Sequence, residues 1–415
     1  MKKKAFAAAL AVLLTLPAVG CQKVSRYDPK YVVSEAQQTA AATEAAPTGT
    51  EPPTQAAEPA SVSFLAVGDN LIHSCVYRTA ANHAGDGQAY NFGYCYENVA
   101  GLVGGADLAF INQETLIAEG FEVSGSNLNF NSPPELGYTL VDMGFDIINL
   151  ANNHILDKGM DGLSADLDFW DGMVEQHPDL LVEGVYRDSQ DMENYRITER
   201  NGVRIGVLGY TEHTNGYSLY GDTELEIPYT SERELMERQI RALDEQTDCV
   251  IVSMHWGVED THVVTDEVRS LAQDLVEWGA DVVVGTGPHT LQTMEYLTRS
   301  DGTQGFVFYS LGNFISGQTD NFNMIGGIGQ LDIVRSGDGN VTIENVQLLP
   351  VITHYDNGSL DNVRVYPYYM YTDELVAGHG IPYSPMGTAK SWSWDVIHSI
   401  VENNVPEEYR QLEEK

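Results

Sequence analysis

The sequence has few cysteines and few basic residues. Only 4 of its 415 residues are Cys, which excludes a disulfide-dense scaffold. Lys and Arg total 22 against 60 Asp and Glu, so the formal net charge is −38. A chain this acidic repels phosphate backbones and anionic lipids, which excludes general nucleic-acid binding and peripheral docking on anionic membranes. Hydrophobic residues make up 43%, enough for a folded core.

The amino terminus has no apolar run long enough to cross a bilayer, yet it has the layout of a secretory signal. Three lysines at positions 2–4 precede the apolar segment 5–16, and small residues precede Cys21 as in a bacterial lipobox. We expect residues 1–21 to be a lipoprotein signal peptide. Lipidation of Cys21 would anchor the protein on the extracellular face of the cytoplasmic membrane. A cleaved signal without lipidation, giving a secreted protein, is the alternative.

The segment after this signal lacks the residues that form a core. Residues 34–61 contain no Val, Ile, Leu, Met or aromatic side chain, and Ala, Thr, Pro, Glu and Gln dominate. Such a segment cannot bury enough apolar surface to offset its ordering entropy. We therefore predict that residues 22–61 are a disordered tether.

The remaining three cysteines give mixed signals. Cys249 lies in a β-branched run and is predicted to be a buried core thiol. Cys75 and Cys95 could form a disulfide outside the cell, but the sequence does not give their separation. That pairing stays open.

The globular part alternates between strand and helix patterns, which predicts an α/β fold with helices packed on sheet faces. The predicted strands are residues 62–67, 108–111, 146–150, 203–208, 250–253, 282–285 and 306–309, and the predicted helices are 134–143, 231–243 and 266–278. Segments 329–334 and 341–348 flank a turn and predict a hairpin. We expect one domain at 62–349, followed by an irregular extension at 350–415.

Polar clusters follow five of the predicted strands, where sites gather in open α/β sheets. They are Gly68-Asp69, Asn112-Gln113-Glu114, Asn152-Asn153-His154, His255-Trp256-Gly257 and Pro288-His289. This mixture of oxygen and nitrogen donors suits Mn, Fe or Zn better than Mg or Ca. It also suits a two-metal site, with ions about 3.5–4 Å apart. One or two divalent ions of unknown identity are therefore predicted.

The same motifs resemble the CapA family of poly-γ-glutamate capsule biosynthesis proteins. In the family's order they are Val67-Gly68-Asp69, Asn112-Gln113-Glu114, Gly144-Phe145-Asp146, Ala151-Asn152-Asn153-His154 with Asp157 and Gly159, His255-Trp256-Gly257 with Glu259, Gly279-Ala280-Asp281, Gly285 and Pro288-His289 with Gln292, and Tyr309-Ser310-Leu311-Gly312-Asn313-Phe314. The resemblance covers roughly residues 62–320. It implies a calcineurin-like metallophosphatase fold, a two-layer β-sandwich flanked by helices.

The resemblance also implies roles for individual residues. The metal ligands would be Asp69, Glu114, Asn153, His255 and His289. His154 would protonate a leaving group or contact the substrate, and Asp157 would orient it or satisfy backbone N–H groups at a helix start. Substrate contacts would be Asn112, Asn152 and Asn313. One departure stands out: Gly287 occupies a position where the family usually has His, so the chain lacks one potential nitrogen ligand.

Three functional hypotheses remain open at this stage. In the first, the metals activate water for attack on a phosphoester or amide, and His154 assists. In the second, the domain is a non-catalytic scaffold that binds poly-γ-glutamate, or a related anionic polymer, beside the capsule synthesis machinery at the membrane. In the third, the same ligands serve a metallophosphoesterase unrelated to capsule.

Overall fold

A computed structural model of the chain describes residues 58–126, 129–356 and 358–414, all within the compact unit Gln55–Lys415. The predicted signal peptide, the lipidation site Cys21 and residues 22–57 of the predicted tether lie outside the described residues. In the described part of the chain, no helix is long and apolar enough to cross a bilayer.

Two mixed sheets account for most of the strands. In chain order the strands are β1 (Ala60–Asn70), β2 (Leu108–Asn112), β3 (Ser124–Gly125), β4 (Phe130–Asn131), β5 (Ile147–Asn149), β6 (Leu181–Glu183), β7 (Arg196–Arg200), β8 (Val203–Thr211), β9 (Cys249–His255), β10 (Val282–Thr286), β11 (Met294–Thr298), β12 (Gln304–Phe308), β13 (Asn313–Ile315), β14 (Ile325–Arg335), β15 (Val341–Asp356) and β16 (Asp361–Pro367). The first sheet has the order β16-β15-β14-β1-β2-β5-β6, with β13 paired to β1, and the second has the order β11-β12-β10-β9-β8-β7. β3 and β4 form a separate hairpin.

The two sheets pack face to face because alternate side chains of each strand point to opposite faces. In β1, Phe64 and Ala66 belong to the core between the sheets, where Ile251 and Phe306 of the second sheet meet them. The neighbouring Leu65 of β1 belongs instead to the core on the outer face. The strands are thus buried on both sides, which is typical of parallel strands covered by helices.

The described residues contain ten helices. They are α1 (Ser74–Asn82), α2 (Gly93–Tyr96), α3 (Ala100–Val103), α4 (Pro134–Met143), α5 (Gly159–Gln176), α6 (Ser189–Glu193), α7 (Arg233–Asp244), α8 (Asp266–Trp278), α9 (Asp373–Gly378) and α10 (Trp394–Asn404), with short 3₁₀ turns at Asn321–Met324, Tyr368–Met370, Ile381–Tyr383 and Glu407–Tyr409. Helices α1 to α5 pack on the first sheet, and α7 and α8 pack on the second. The predicted two-layer β-sandwich flanked by helices is confirmed.

The carboxyl-terminal part departs from the sequence-based expectation. An irregular conformation was expected from residue 350 onward, but β15 continues to Asp356 and β16 adds an edge strand to the first sheet. That expectation is wrong for these residues. Pro350 lies within β15, opposite Gly327. The expectation failed because a Pro in the sequence normally argues against a strand at that position. The predicted domain boundary at 349 falls inside this strand.

Candidate metal centre

The candidate site lies at the carboxyl ends of parallel strands from both sheets. β1 ends with Asp69 and Asn70, and Glu114 comes shortly after the end of β2. β9 ends with His255, and His289 follows β10 by a few residues. Because parallel strands carry their ends to the same edge, these side chains meet although they lie far apart in sequence.

Four of the five predicted ligands are close together. The ligand atoms of Asp69, Glu114 and His289 all lie within 4.8 Å of one another. His289 Nδ1 is 3.0 Å from Asp69 Oδ2, and its Nε2 is 3.7 Å from Glu114 Oε1. His255 joins from the second sheet, with Nε2 3.7 Å from Glu114 Oε1 and Nδ1 4.0 Å from Asp69 Oδ1. The structure therefore brings together an Asp, a Glu and two His at one point.

Several buried oxygens at this point have no hydrogen-bond partner. Both carboxylate oxygens of Glu114 are buried and unpartnered, and so is Oδ1 of Asn153, the fifth predicted ligand. An unpartnered buried polar group costs about 1–3 kcal/mol, and a charged one costs more. A divalent cation would satisfy these oxygens, and the donor set suits Mn, Fe or Zn. The residues therefore fit the predicted metal.

The protonation of the cluster reflects its burial and its mutual charges. Burial opposes ionisation of Asp69, but the hydrogen bond and charge of His289 outweigh it and hold the pKa of Asp69 below its usual value. Burial, followed by repulsion from Asp69, raises the pKa of Glu114 well above its usual value. A proton held by Glu114 must leave before a cation binds, so we expect metal affinity to rise with pH.

The pKa values of the two histidines are shifted in opposite directions. Burial lowers the pKa of His255 to about 3, so its ring is neutral and ready to act as a ligand. Burial also acts to lower the pKa of His289, but the charge of Glu114 and the hydrogen bond to Asp69 outweigh it and raise the pKa to about 10. This rise in the pKa of His289 requires an ionised Glu114, so the proton that leaves when a cation binds belongs to the Glu114–His289 pair and is not counted for each residue separately.

Asn112 and Asn152, predicted to contact substrate, lie behind the ligands. Asn112 is buried; its Nδ2 donates to Asp69 Oδ1 at 2.8 Å, and its Oδ1 accepts from Asn149 Nδ2 at 2.8 Å. Asn152 Nδ2 donates to the Gln113 carbonyl at 2.9 Å. These contacts hold the ligand-bearing loops, so both side chains support the centre from within.

Asn313 pairs in register with Asp69, on the short strand β13. Its Nδ2 donates to Gln318 Oε1 at 2.6 Å and to the Asn323 carbonyl at 3.1 Å, while its Oδ1 is buried and unpartnered. Its amide group thus braces the loop beneath β14 and leaves one acceptor free beside the centre.

His154 and Asp157 form a pair next to the proposed ligand Asn153. His154 Nδ1 is 2.8 Å from Asp157 Oδ2, and the same oxygen accepts the backbone N–H of Phe130 at 2.8 Å. Asp157 thus contacts His154, as the first of its two expected roles requires. The backbone N–H that it accepts belongs to β4 and not to the start of α5, where no side chain caps the helix, so the expected helix-start role is not observed. His154 Nε2 has no hydrogen-bond partner in the described ranges, so it remains available to substrate.

Gly287, the departure from the family motif, has a structural reason. Its φ is +104°, and a Cβ there would lie 3.0 Å from the Trp256 carbonyl oxygen. Its backbone N–H points at both Asp69 oxygens, at 3.2 and 3.3 Å. Any side chain at this position would strain the backbone that hydrogen-bonds to Asp69.

Comparison with known proteins bears on this geometry. Residues 63–318 match the family described as bacterial capsule synthesis protein PGA_cap. The chain belongs to this family. The matched segment contains every proposed ligand and the His154–Asp157 pair.

Individual relatives in the capsule synthesis family are distant. The chain is 27% identical over 236 residues to a capsule biosynthesis protein CapA of Bacillus anthracis, covering 55% of each chain. It is 28% identical over 229 residues to a PGA biosynthesis protein CapA of Bacillus subtilis, covering 55% of this chain and 57% of that one. The chain thus spans about half the length of the curated relatives it matches.

Solved structures give a weaker likeness. A 5'-nucleotidase precursor from Thermus thermophilus aligns with a TM-score of 0.43 and 15% identity. The alignment covers 70% of this chain and 54% of the nucleotidase chain. A putative 5'-nucleotidase from Staphylococcus aureus has a TM-score of 0.43 and 16% identity, with the same coverage. Neither likeness carries information about the activity of this member of the capsule synthesis family.

One further loop at the centre, the loop that follows β8, was not predicted from the sequence. A small cavity opens beside the predicted ligands Asn153 and His255, and its lining also includes Glu212, His213 and Glu259. Glu212 and His213 directly follow β8, so the strand-end rule that found the other ligands applies to them. They were missed because β8 was predicted to end at residue 208, before Gly209.

His73, which follows β1, was also missed. The ring centroids of His73 and Phe130 are 5.1 Å apart, and those of Phe130 and His154 are 4.7 Å apart, both in an edge-to-face arrangement. Burial lowers the pKa of His73 to about 4, so the ring is neutral. Its position shortly after β1, the strand that carries the proposed ligand Asp69, is the sequence feature that could have predicted its place at the site.

The three described cysteines carry free thiols. Cys249 is buried in the core, as predicted, and Cys75 and Cys95 are buried as free thiols in the core outside the first sheet. Burial raises the pKa of Cys75 to about 12, so this thiol is unreactive.

Proposed function

We propose that this chain is a cell-surface protein of poly-γ-glutamate capsule synthesis, export or anchoring, with a metal-dependent hydrolase-type site. The observation that carries the proposal is the meeting of Asp69, Glu114 and His289 with unpartnered buried oxygens beside the His154–Asp157 pair. Membership of the capsule synthesis family and the names of the two Bacillus relatives support the link to capsule.

The depth of the centre favours chemistry on one small group over passive holding of a polymer. Asp69 and Glu114 are fully buried, and the cavity beside His255 is narrow. A polymer chain would present a single amide, carboxylate or phosphoryl group to such a site. A scaffold that only binds an anionic polymer needs an open, extended surface instead, so the hydrolase-type reading fits better.

The proposed ligands are Asp69, Glu114, His289, His255 and Asn153, which would hold one or two divalent ions. Such ions supply Lewis-acid activation of water and of the bond to be cleaved. The protein also holds these ligand side chains in position through hydrogen bonds from residues that would not contact the metal. Asn112 does this for Asp69 through its hydrogen bond, and such supporting contacts are worth about 10–100-fold in metal affinity.

His154 is the proposed acid or base. Asp157 holds the Nδ1 side of the ring, and Phe130 packs edge-on against it, so the ring cannot rotate freely. With Nδ1–H directed to the carboxylate, Nε2 can accept a proton from substrate or return one to a leaving group. Because the Phe130 N–H also binds Asp157, the carboxylate stays oriented while this proton moves.

The test is His154→Ala in the native host, with His177→Ala as the matched control, since His177 is exposed at the end of α5. We expect His154→Ala to keep the fold and the metal content and to abolish capsule polymer output, while the control retains all three. Polymer output that survives His154→Ala but not deletion of the domain would favour the scaffold reading. Unchanged polymer after deletion, with loss of phosphoesterase activity, would favour a phosphoesterase unrelated to capsule.

We also propose that the chain is lipid-anchored through Cys21 outside the cytoplasmic membrane, beside the capsule synthesis machinery. The support is the short apolar segment at 5–16 and the small residues before Cys21. Cys21→Ser should release the protein from the membrane fraction. A variant that stays membrane-bound like the parent contradicts lipid anchoring at this residue.

A further inference from the structure

Two histidines outside the proposed ligand set share an unusual hydrogen-bond arrangement. His213 Nδ1 accepts the backbone N–H of Asn215 at 3.3 Å, and His73 Nδ1 accepts the backbone N–H of Gly317 at 3.0 Å. A backbone N–H can only donate, so each Nδ1 carries the lone pair and each neutral ring carries its hydrogen on Nε2. His73 Nδ1 also lies 3.2 Å from the Leu71 carbonyl, but that oxygen already accepts the backbone N–H of His73.

Both Nε2–H groups are free to meet a ligand. In the described part of the chain, no hydrogen-bond partner reaches Nε2 of His73 or of His213. His213 is exposed and His73 is half-buried, and Nε2 of His73 is not among the fully buried unpartnered atoms of the described residues. An imidazole ring whose Nδ1 is fixed by the backbone N–H of another residue, and whose Nε2–H has no acceptor, can donate that hydrogen bond to an anionic oxygen.

The two rings flank the centre on different sides. His213 lines the narrow cavity together with Asn153 and His255, on the second-sheet side. His73 follows β1, on the first-sheet side, and Phe130 lies edge-on to both His73 and His154.

His154 differs from both of them. Its Nδ1 faces the Asp157 carboxylate, so its hydrogen lies on Nδ1 and its Nε2 is an acceptor when the ring is neutral. The site thus has one imidazole arranged to exchange protons and two arranged to donate hydrogen bonds. The residues that line the cavity include no Lys or Arg, so a neutral donor such as His213 is what this wall offers to an anion.

We propose that His73 and His213 are substrate-binding residues that donate Nε2–H hydrogen bonds to the anionic oxygens of a phosphate or carboxylate group held at the metal centre. The inference rests on the proposed metal site and names the chemical class of group that enters it. Neutral donors avoid placing a positive charge beside the metal ligands, and bound cations would offset the negative charge of Glu212 and Glu259 at the cavity.

The test uses the purified full chain loaded with Mn²⁺. Binding of inorganic phosphate and, separately, of glutarate is measured by calorimetry, and metal content by elemental analysis. His213→Phe and His73→Phe should keep the metal and weaken binding of the preferred anion by roughly tenfold each, because one hydrogen bond to a charged group is lost. His213→Asn, which keeps a donor and an acceptor, should recover part of the affinity, and His177→Phe should change nothing.

The two anions separate the two possible sources, since tighter phosphate binding indicates a phosphoester and tighter glutarate binding indicates a polyglutamate carboxylate. Unchanged anion affinity in His213→Phe overturns the inference even if His73→Phe fails to fold, because His213 is exposed and its variant is expected to fold. Loss of metal from His213→Phe would make it a ligand and also overturns it. A parent that binds metal but neither anion contradicts the inference alone, whereas a parent that binds no metal contradicts the proposed function as well.

Discussion

Carboxylates at the amino ends of the strands have hydrogen-bond partners, whereas two buried glutamates at the carboxyl ends have none. Four aspartates directly precede strands, and each accepts a backbone N–H of the neighbouring strand at 2.8–2.9 Å; they are Asp107, Asp146, Asp248 and Asp281. Three of them also pair with an arginine. At the carboxyl ends, Glu114 and Glu183 have no partner for either oxygen.

This difference separates residues that build the fold from residues that serve the site. A carboxylate that accepts a strand N–H and pairs with a guanidinium is already satisfied and links neighbouring strands. A buried carboxylate without partners lowers stability unless something else binds it. Asp146 and Asp281 belong to the family motifs just as Glu114 does, so the motif alone does not distinguish the two roles, whereas the hydrogen bonds of these three residues do. Asp69 lies between the two cases, because it accepts hydrogen bonds from Asn112 and the Gly287 N–H and still faces the proposed ligands.

The largest effect is expected from Glu114→Ala. Removing the carboxylate that faces Asp69, His255 and His289 should weaken metal binding by more than about 100-fold, beyond what loss of a supporting contact does. Elemental analysis after dialysis measures this, with the exposed Glu245→Ala as the control. Full metal content in Glu114→Ala would contradict the claim that the unpartnered carboxylate of Glu114 binds the metal.

Asp281→Asn should have the reverse pattern, with intact metal content and a loss of about 3 kcal/mol in the free energy of unfolding. The variant leaves the Arg299 guanidinium, 2.9 Å from Asp281, without its counter-charge in a mostly buried position. Chemical denaturation measures the loss. A stable variant that lost its metal would show that the amino-end aspartates serve the site.

Glu183→Gln tests a carboxyl group that is unpartnered and yet outside the ligand cluster. Burial raises the pKa of Glu183 to about 8, above its unfolded value of about 4.5, so the folded protein holds the proton. The stability from this group is fully present below pH 4.5 and is lost as pH rises toward 8, at about 1.4 kcal/mol per pH unit. The parent should therefore lose about 2 kcal/mol from this group between pH 5.5 and 7, and Glu183→Gln should not. Parallel pH profiles of the two proteins would contradict this.

Gly287→His should have the smallest effect, about 1 kcal/mol of destabilisation in a thermal melt, because a side chain is strained at φ +104°. The matched control is Gly302→His, since Gly302 also has a positive φ but has open space, with no atom within 4 Å, where its Cβ would lie. A stable Gly287→His with more bound metal would show that the missing histidine, rather than the backbone, limits the site.

The sequence alone predicted the elements whose pattern is local. Helix 134–143 and helix 266–278 have the predicted bounds, because Pro134 and Gly279 mark a start and an end that need no tertiary partner. The donors at strand ends were predicted for the same reason, since a strand that ends in Asp or His places that residue at a known edge.

Tertiary packing decided what the sequence could not. Gly209 interrupted the apolar pattern of β8, but the strand continues because the Glu183 carboxyl group and Asn149 pack against its Cα, where a Cβ would lie 2.2 Å from Glu183 Oε2. Glu212 and His213 were missed as a result. The supporting role of Asn112 was likewise invisible, since its partner Asn149 comes from another strand.

The central claim is that the unpartnered oxygens of Glu114, together with Asp69 and His289, form a metal centre at the carboxyl ends of the strands. Crystals of the full chain grown with Mn²⁺ and measured at the manganese absorption edge test it most directly. The account predicts an anomalous peak about 2.0–2.3 Å from oxygen and nitrogen atoms of Asp69, Glu114 and His289. The absence of a peak there, or a peak held only by other residues, would contradict it.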